Sequence, residues 1–360
     1  MGCTWSGLSA LYGVVSSGTE VWVNERCFRI VRQLGEGGFS FVFLVQERPS
    51  GHHHLQQEAK DPSIDHHGDG FFALKKVLIQ DNEQLDLVKQ EIHVSSYFKH
   101  PNLLPLLDHA IIPVKGSQDG SWKQEAYLLF PVHKDGTLLD HLTRMQLNNE
   151  FYPTIAVLHI FKQICAGLKE MHMNDPPYAH NDMKPGNVLL TLQPNKPPKA
   201  VIMDFGSASP AHKKIRSRSE ALTLQEWAAE HCSAPYRAPE LWDCPSQCDI
   251  DERTDVWSLG CTLFAIMYRE SPFEYVLGES GGSLQLAVMS GQVKWPPGPT
   301  PPYPDTLCQF VTWMVQPQIT MRPHLEDVSI HIDKLLASFG TGVDGLWTLK
   351  VDKQNTELIS

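Results

Sequence analysis

Apolar and polar residues alternate from Phe28 to Val45, and the alternation breaks at Gly35-Glu36-Gly37-Gly38. A period of two in a stretch rich in Val, Phe and Ile predicts a strand, a glycine turn and a second strand. Phe71 to Val77 predicts a third strand, and Leu103 to Leu107 and Tyr127 to Val132 two more. Leu85, Val88 and Ile92 recur at helical spacing and carry Glu91 with them. After about residue 133 the period lengthens. Ile155, Leu158, Phe161, Ile164, Leu168 and Met171 mark a long amphipathic helix that starts at Pro153-Thr154. The strongly apolar run from Ser258 to Tyr268 is too short to span a bilayer and reads as a buried helix. The pattern predicts an α+β chain, a small strand-rich part followed by a larger helical one.

The segment from Gln46 to Gly70 is polar, contains His52, His53, His54, His66 and His67, and reads as an inserted loop. Such histidines could hold a metal, but a solvated loop accounts for them. Residues after Gly340 are weakly patterned. The chain has 360 residues, of which 42% are apolar, enough for a sizeable core. A net charge of -11 gives no global field for collecting nucleic acid, so no nucleic-acid partner is expected. The eight cysteines show no paired metal-binding spacing and read as reduced thiols. The N-terminus lacks the apolar core of a secretory signal.

Chemistry enters with the glycine turn. Gly35 to Ser40 lies between two predicted strands, where glycines let the backbone approach a phosphate closely. A dinucleotide-binding turn would be followed by a helix, and here a strand follows. Alone, such a hairpin is commonly only a turn. Ala73-Leu74-Lys75 then places a lysine on the third strand, with Glu91 sixteen residues on, midway along a predicted helix. Further along comes His180-Asn181-Asp182-Met183-Lys184-Pro185-Gly186-Asn187, and seventeen residues after Asn187 comes Asp204, in Met203-Asp204-Phe205-Gly206. Asp182 can take a proton from a substrate hydroxyl, and Lys184 can neutralise charge on a moving phosphoryl group. The oxygens of Asn187 and Asp204 suit a hard cation such as Mg²⁺. Any one aspartate could be a turn or cap residue; the whole ordered set is far harder to obtain by chance.

That order, continued by Ala238-Pro239-Glu240, Asp255-Val256-Trp257-Ser258-Leu259-Gly260 and Arg322-Pro323, resembles the eukaryotic protein kinase domain over about residues 25 to 340. Ala221 to Ala229, inserted before Tyr236-Arg237-Ala238-Pro239-Glu240, resembles more closely the activation segment of the lipid-anchored, Golgi-associated kinases of the Numb-associated family. The resemblance implies a bilobal fold: an N-terminal segment (1–24), an antiparallel N-lobe with one main helix (25–132, with the insert 46–70), a helical C-lobe (133–340) and a tail (341–360). It implies ATP between the lobes. Gly35, Glu36, Gly37, Gly38, Phe39, Ser40, Val42, Ala73, Lys75, Phe130, Pro131, His133 and Leu189 would line the nucleotide. Phe130 would be the gatekeeper and Pro131 to His133 the hinge. Lys75, Glu91, Asp182 and Lys184 take catalytic positions, with Asn187 and Asp204 on Mg²⁺. Lys184-Pro185 matches kinases of serine and threonine, so the expected partners are proteins with Ser or Thr acceptors. Ser233 stands where many such kinases brace Asp182 and Lys184 with a threonine.

Two positions depart from the pattern. Ser40 replaces the third glycine of the loop. Asn181 replaces the arginine that commonly receives a phosphate from the activation segment, and an amide cannot form that bidentate ion pair. Activation by phosphorylation is therefore not expected. Residues 212–218 (His-Lys-Lys-Ile-Arg-Ser-Arg) form a basic stretch that is either solvent-facing or a grip for acidic substrates. Met1-Gly2-Cys3-Thr4-Trp5-Ser6 fits the signal for myristate on Gly2, with palmitate on Cys3, so attachment to the cytoplasmic face of a membrane is expected, with a cytoplasmic chain as the alternative; the family resemblance implies a Golgi or trans-Golgi membrane. The competing reading is a pseudokinase scaffold, which loss of Lys75, Asp182 or Asp204 would favour; all three are present.

Overall fold

The computed structural model describes residues 18–37, 40–48, 70–115, 122–193, 196–297 and 303–339. The chain divides into two compact units, one from Met1–Tyr97 and Pro105–Val132, the other from Phe98–Leu104 and His133–Ser360.

In the first unit the alternating segments become strands β1 (Glu20–Val23), β2 (Arg26–Gly37), β3 (Ser40–Glu47), β4 (Phe71–Ile79), β5 (Asp108–Lys115) and β6 (Trp122–Pro131), with one helix, α1 (Asn82–Tyr97). They form one antiparallel sheet in the order β1-β2-β3-β4-β6-β5. Two-residue periodicity puts Val23, Phe28, Ile30, Phe43, Val45, Leu74, Tyr127 and Leu129 together in its core. Two expectations are corrected. Glu20–Val23, assigned above to the N-terminal segment, pairs with β2 through Val21 and Phe28. Leu103–Leu107 is not a strand: Leu103 makes only a bridge to Ile202, and Pro105 has no N–H for a ladder. Pairing starts at Asp108 instead, on an edge strand that tolerates Pro113. Asp81 starts α1 by accepting a hydrogen bond from the Gln84 amide, 2.9 Å.

The second unit contains helices α2 (Leu138–Leu147), α3 (Thr154–His172), α4 (Arg218–His231), α5 (Pro239–Trp242), α6 (Arg253–Tyr268), α7 (Pro272–Ser280), α8 (Leu284–Ser290), α9 (Asp305–Met314) and α10 (Leu325–Phe339). Short strands β7 (Tyr178–Ala179), β8 (Val188–Gln193), β9 (Lys196–Ile202), β10 (Ser209–Pro210), β11 (Lys213–Ile215) and β12 (Cys248–Ile250) pair as β8-β9, β7-β10 and β11-β12. Residues Thr254 to Met267 of α6 are buried without a break, as its apolar sequence required. Trp257 stacks on Phe273 beside it. Against α3 lies the segment 98–104, whose Asn102 carbonyl accepts from Ile202 N, 2.8 Å. A Cβ on Gly167 of α3 would stand 2.8 Å from that carbonyl, so glycine permits the approach. This packing fixes the end of β9, from which Asp204 follows.

Candidate active site

The first unit lines up its candidates by sheet register. Gly35 pairs with Val42, and Val42 with Lys75. Ala73 pairs with Phe130 one pleat along the same face. Gly35, Val42, Ala73, Lys75 and Phe130 therefore share one face, while Phe43, Leu74 and Leu129 fill the core on the other. Glu36 pairs with Phe41 and so lies with Lys76 on the core side of the pleat; any part it takes in the loop is through its backbone. Lys76 is engaged there with Glu125, 2.9 Å. Lys75 Nζ meets Glu91 Oε1 of α1 at 2.6 Å, and Glu91 is buried. Ser40 opens β3 opposite Gly37, and Pro131 ends β6. Gly38 and Phe39 lie outside the described residues, as do Gly2, Cys3 and most of the histidine-rich insert.

In the second unit a buried carboxylate shapes the loop that carries Asp182. Asp255, near the start of α6, is fully buried and accepts from His180 N at 2.7 Å, Asn181 N at 2.8 Å and His172 Nε2 at 2.9 Å. Burial would raise its pKa, but the His172 hydrogen bond, the charges of His172 and His180 and the His180 amide together hold it below the usual carboxylate range. These bonds hold Asn181 in a left-handed turn, φ 65°. His180 donates from Nε2 to Met203 O, 3.2 Å, and packs edge-on to Phe205.

Asp182 projects from this turn into a set of donors. Its Oδ2 accepts from Lys184 Nζ at 2.7 Å and Asn187 Nδ2 at 3.0 Å, and its Oδ1 from Ser233 N at 2.8 Å. Lys184 Nζ also donates to Ser233 Oγ, 2.6 Å. Val188 of β8 pairs with Ile202 of β9, and Met203 N donates to Asn187 O, 2.9 Å. Asn187 and Asp204 thus sit at the same end of one hairpin, Asp204 with φ 65°. Since Asn187 Nδ2 is committed to Asp182, the amide turns its oxygen to the other side. An amide oxygen and a carboxylate are a donor set fitted to Mg²⁺, which takes few protein ligands and completes its shell with phosphate and water. Leu189 is half-buried on β8, and His133 Nδ1 lies 2.8 Å from Thr191 Oγ1 of the same strand.

Residues 28–332 match the protein kinase domain. The chain belongs to the protein kinase family. It is 36% identical to serine/threonine-protein kinase 16 of Homo sapiens over 312 residues, 87% of this chain and 91% of that protein. The rat protein of the same name matches equally, 36% over the same shares. A probable serine/threonine-protein kinase of Dictyostelium discoideum is 31% identical over 88% of this chain and 96% of its own length.

In this kinase the segment from Asp204 to Glu240 is held by side chains of the protein itself. Asn181 Nδ2 donates to Ser207 O at 2.9 Å and Ser209 Oγ at 3.1 Å. Ser209 Oγ also accepts from Lys213 Nζ, 3.1 Å, and the Lys213 ammonium lies 5.6 Å from the centre of the Trp227 ring. Burial pulls the Lys213 pKa down, against the attraction of Asp255. Trp227 stacks on His231, and Ser207 Oγ donates to the His231 carbonyl, 2.7 Å. Helix α4 contains the inserted stretch Ala221 to Ala229 and is started by a capping box of Ser217 and Glu220. Its buried face is Ala221, Leu224 and Ala228, packed with Ile215, Cys232, Leu241, Cys244 and Ile250. The helix starts three residues before Ala221, and Leu222 is 43% exposed, so Leu224 carries its apolar contact. Beyond it the buried Arg322 grips Glu240 at 2.6 and 2.8 Å, the two-pronged contact that a planar guanidinium makes with a carboxylate.

The sequence named Asp255 only as part of a motif, read Lys213 only as part of a basic stretch, and passed over His172, Ser207 and Ser209; Lys213 instead turns to Ser209 and Trp227. For Asp255 there was a signal: a carboxylate one turn ahead of an unbroken apolar helical run must be paired when buried. For His172, Ser207 and Ser209 there was none, because His172 bonds Asp255, Ser207 the His231 carbonyl and Ser209 the Asn181 amide, all far along the chain.

Proposed function

We propose that this serine/threonine protein kinase is active as folded, without phosphorylation of its activation segment. The observation that carries the reading is the joined set of Asp182, Lys184 and Ser233, in which the segment's own serine braces the loop. Asp182 orients the Ser or Thr hydroxyl and accepts its proton; Lys184 stabilises charge on the transferred group. Lys75, held by Glu91, pairs with the α- and β-phosphates, and Asn187 with Asp204 holds Mg²⁺. When bound, MgATP supplies the γ-phosphoryl group and the divalent charge that neutralises it. Positioning and electrostatics supply most of the rate in such transfers. Val42, Ala73, Phe130, Pro131, His133 and Leu189 line the nucleotide in this reading. Asn181, bound to Ser207 and Ser209, supports order without a phosphate, and α4 packs the rest of the segment.

Anchoring is the second part of the reading. Gly2 and Cys3 take two acyl chains, because one chain binds a bilayer only marginally. Among the described residues no helix is long and apolar enough to cross a membrane. The cytoplasmic face of Golgi membranes is the proposed place.

Phosphatase treatment of the purified protein should leave most phosphate transfer to serine and threonine intact, and Asp204→Ala should abolish it. A large loss on dephosphorylation overturns the constitutive reading; transfer by Asp204→Ala at the normal rate overturns the site. Gly2→Ala should move the protein into the soluble fraction with its activity in vitro unchanged.

A further inference from the structure

The loop joining α5 to β12 brings two thiols together. Cys244 Sγ and Cys248 Sγ lie 3.9 Å apart, and both point at the Pro245 carbonyl, at 3.6 and 3.5 Å. All seven described cysteines are unbridged. Cys244 is buried in the cluster that carries α4, whereas Cys248 is half-exposed at the start of β12. Pro245, Ser246 and Gln247 between them are exposed, so the loop has room to adjust. A disulfide needs sulfurs about 2.05 Å apart, a closure of about 2 Å shared by two side chains. A zinc site needs more ligands: among the described residues no group of three or more His, Cys, Asp or Glu could hold a metal.

We infer that Cys244 and Cys248 form a dithiol modification site that a low-molecular-weight disulfide converts to an intramolecular disulfide. Cys248, the accessible sulfur, attacks as thiolate on one sulfur of glutathione disulfide and releases one glutathione thiolate. Cys244 then loses its proton, attacks Cys248 Sγ and displaces the second glutathione. Two protein thiols are oxidised to one disulfide, one glutathione disulfide is reduced to two thiols, and the two protons pass to the departing glutathiones. Burial, and after it the neighbouring Cys248, pushes the Cys244 thiol up to about 12. Cys244 therefore acts second, on a sulfur already held beside it, rather than as the first nucleophile. The bond would tie α5 to β12. The carbonyls of both cysteines already accept from the basic stretch, Cys248 O from Arg216 Nη1 at 3.1 Å and Cys244 O from Arg218 Nη1 at 3.5 Å.

The test uses the full chain, folded, incubated with oxidised glutathione, then alkylated without reduction and cut with trypsin. Residues 238–253 form one tryptic peptide with both cysteines. That peptide should appear lighter by two hydrogens and free of alkylation. Cys244→Ser should stop at a glutathione adduct on Cys248, and Cys248→Ser should leave Cys244 alkylated. The inference is overturned if both thiols in the wild-type chain remain open to alkylation, if the wild-type chain stops at the glutathione adduct, or if either cysteine bridges to a different one.

Discussion

Lys75 and Glu91 meet tip to tip at the ends of two long side chains, one from a strand and one from a helix. Asp182 is a short side chain surrounded by donors from its own loop and from the activation segment, and its loop is pinned from behind by Asp255. The first arrangement can be opened by a small shift of α1 against β4. The second changes only if α6, the loop and the segment all yield. The sheet-rich unit thus holds its charges in an adjustable pair, and the helical unit holds Asp182 in a cradle of donors.

The sharpest way to break that comparison is at the base itself. Asp182→Asn preserves shape and removes the proton acceptor, so phosphate transfer should fall about 10²–10⁴-fold. The melting temperature should move little. A variant within tenfold of wild type in a radiolabelled transfer assay would take the base role from Asp182.

Asp255→Ala removes the support behind the cradle. It strands two amides and His172 in the interior and should cost about 3–5 kcal/mol in denaturant unfolding. Because its folded pKa lies below the ordinary value, the stability it supplies is fully present above that ordinary value, about 3.9. It is lost as pH falls through the lower folded pKa. The gap between wild type and variant should therefore be constant near neutrality and narrow only in strong acid. A gap that closed near neutral pH would contradict the assignment of the charge.

Leu224→Ala should cost about 2–5 kcal/mol. Leu222→Ala, two residues away and exposed, should stay within about 0.5 kcal/mol. Equal effects in thermal melts would mean that α4 does not present the face described. Of the two charged arrangements, the adjustable pair should show the smaller stability effect. Glu91→Gln keeps an acceptor for Lys75, so stability should change by only about 1 kcal/mol. Transfer should fall nonetheless, chiefly through weaker use of ATP. A stability loss as large as that of Asp255→Ala would erase the contrast between the two units.

Lys75, Asp182, Asn187 and Asp204 could be named as candidates from the sequence because the chemistry of phosphate transfer admits few residue types in that order. The core of the sheet was legible because a period of two leaves its apolar face visible. Strand β1 was not: Glu20–Val23 has four residues and exposes Trp22, so its pairing rests on β2 and not on its own pattern. The face of α4 was not legible, since Ala221 and Ala228, which define it with Leu224, carry little hydrophobic signal. The contacts joining Asn181, Ser209, Lys213 and Trp227 were invisible because none follows a hydrophobic period, and Asn181 and Trp227 reach their partners across distant parts of the chain.

The turn above Asp255 has a consequence that isotope exchange would reveal. The N–H groups of His180 and Asn181 both end on a buried carboxylate rather than on a strand partner, although they follow directly on the two-residue strand β7. Their protons can reach solvent only when α6 lets go of the loop. In deuterated water these two loop amides should exchange as slowly as those inside α6, with the rate set by global unfolding. A loop that carries the chemistry would then time the opening of the whole helical unit.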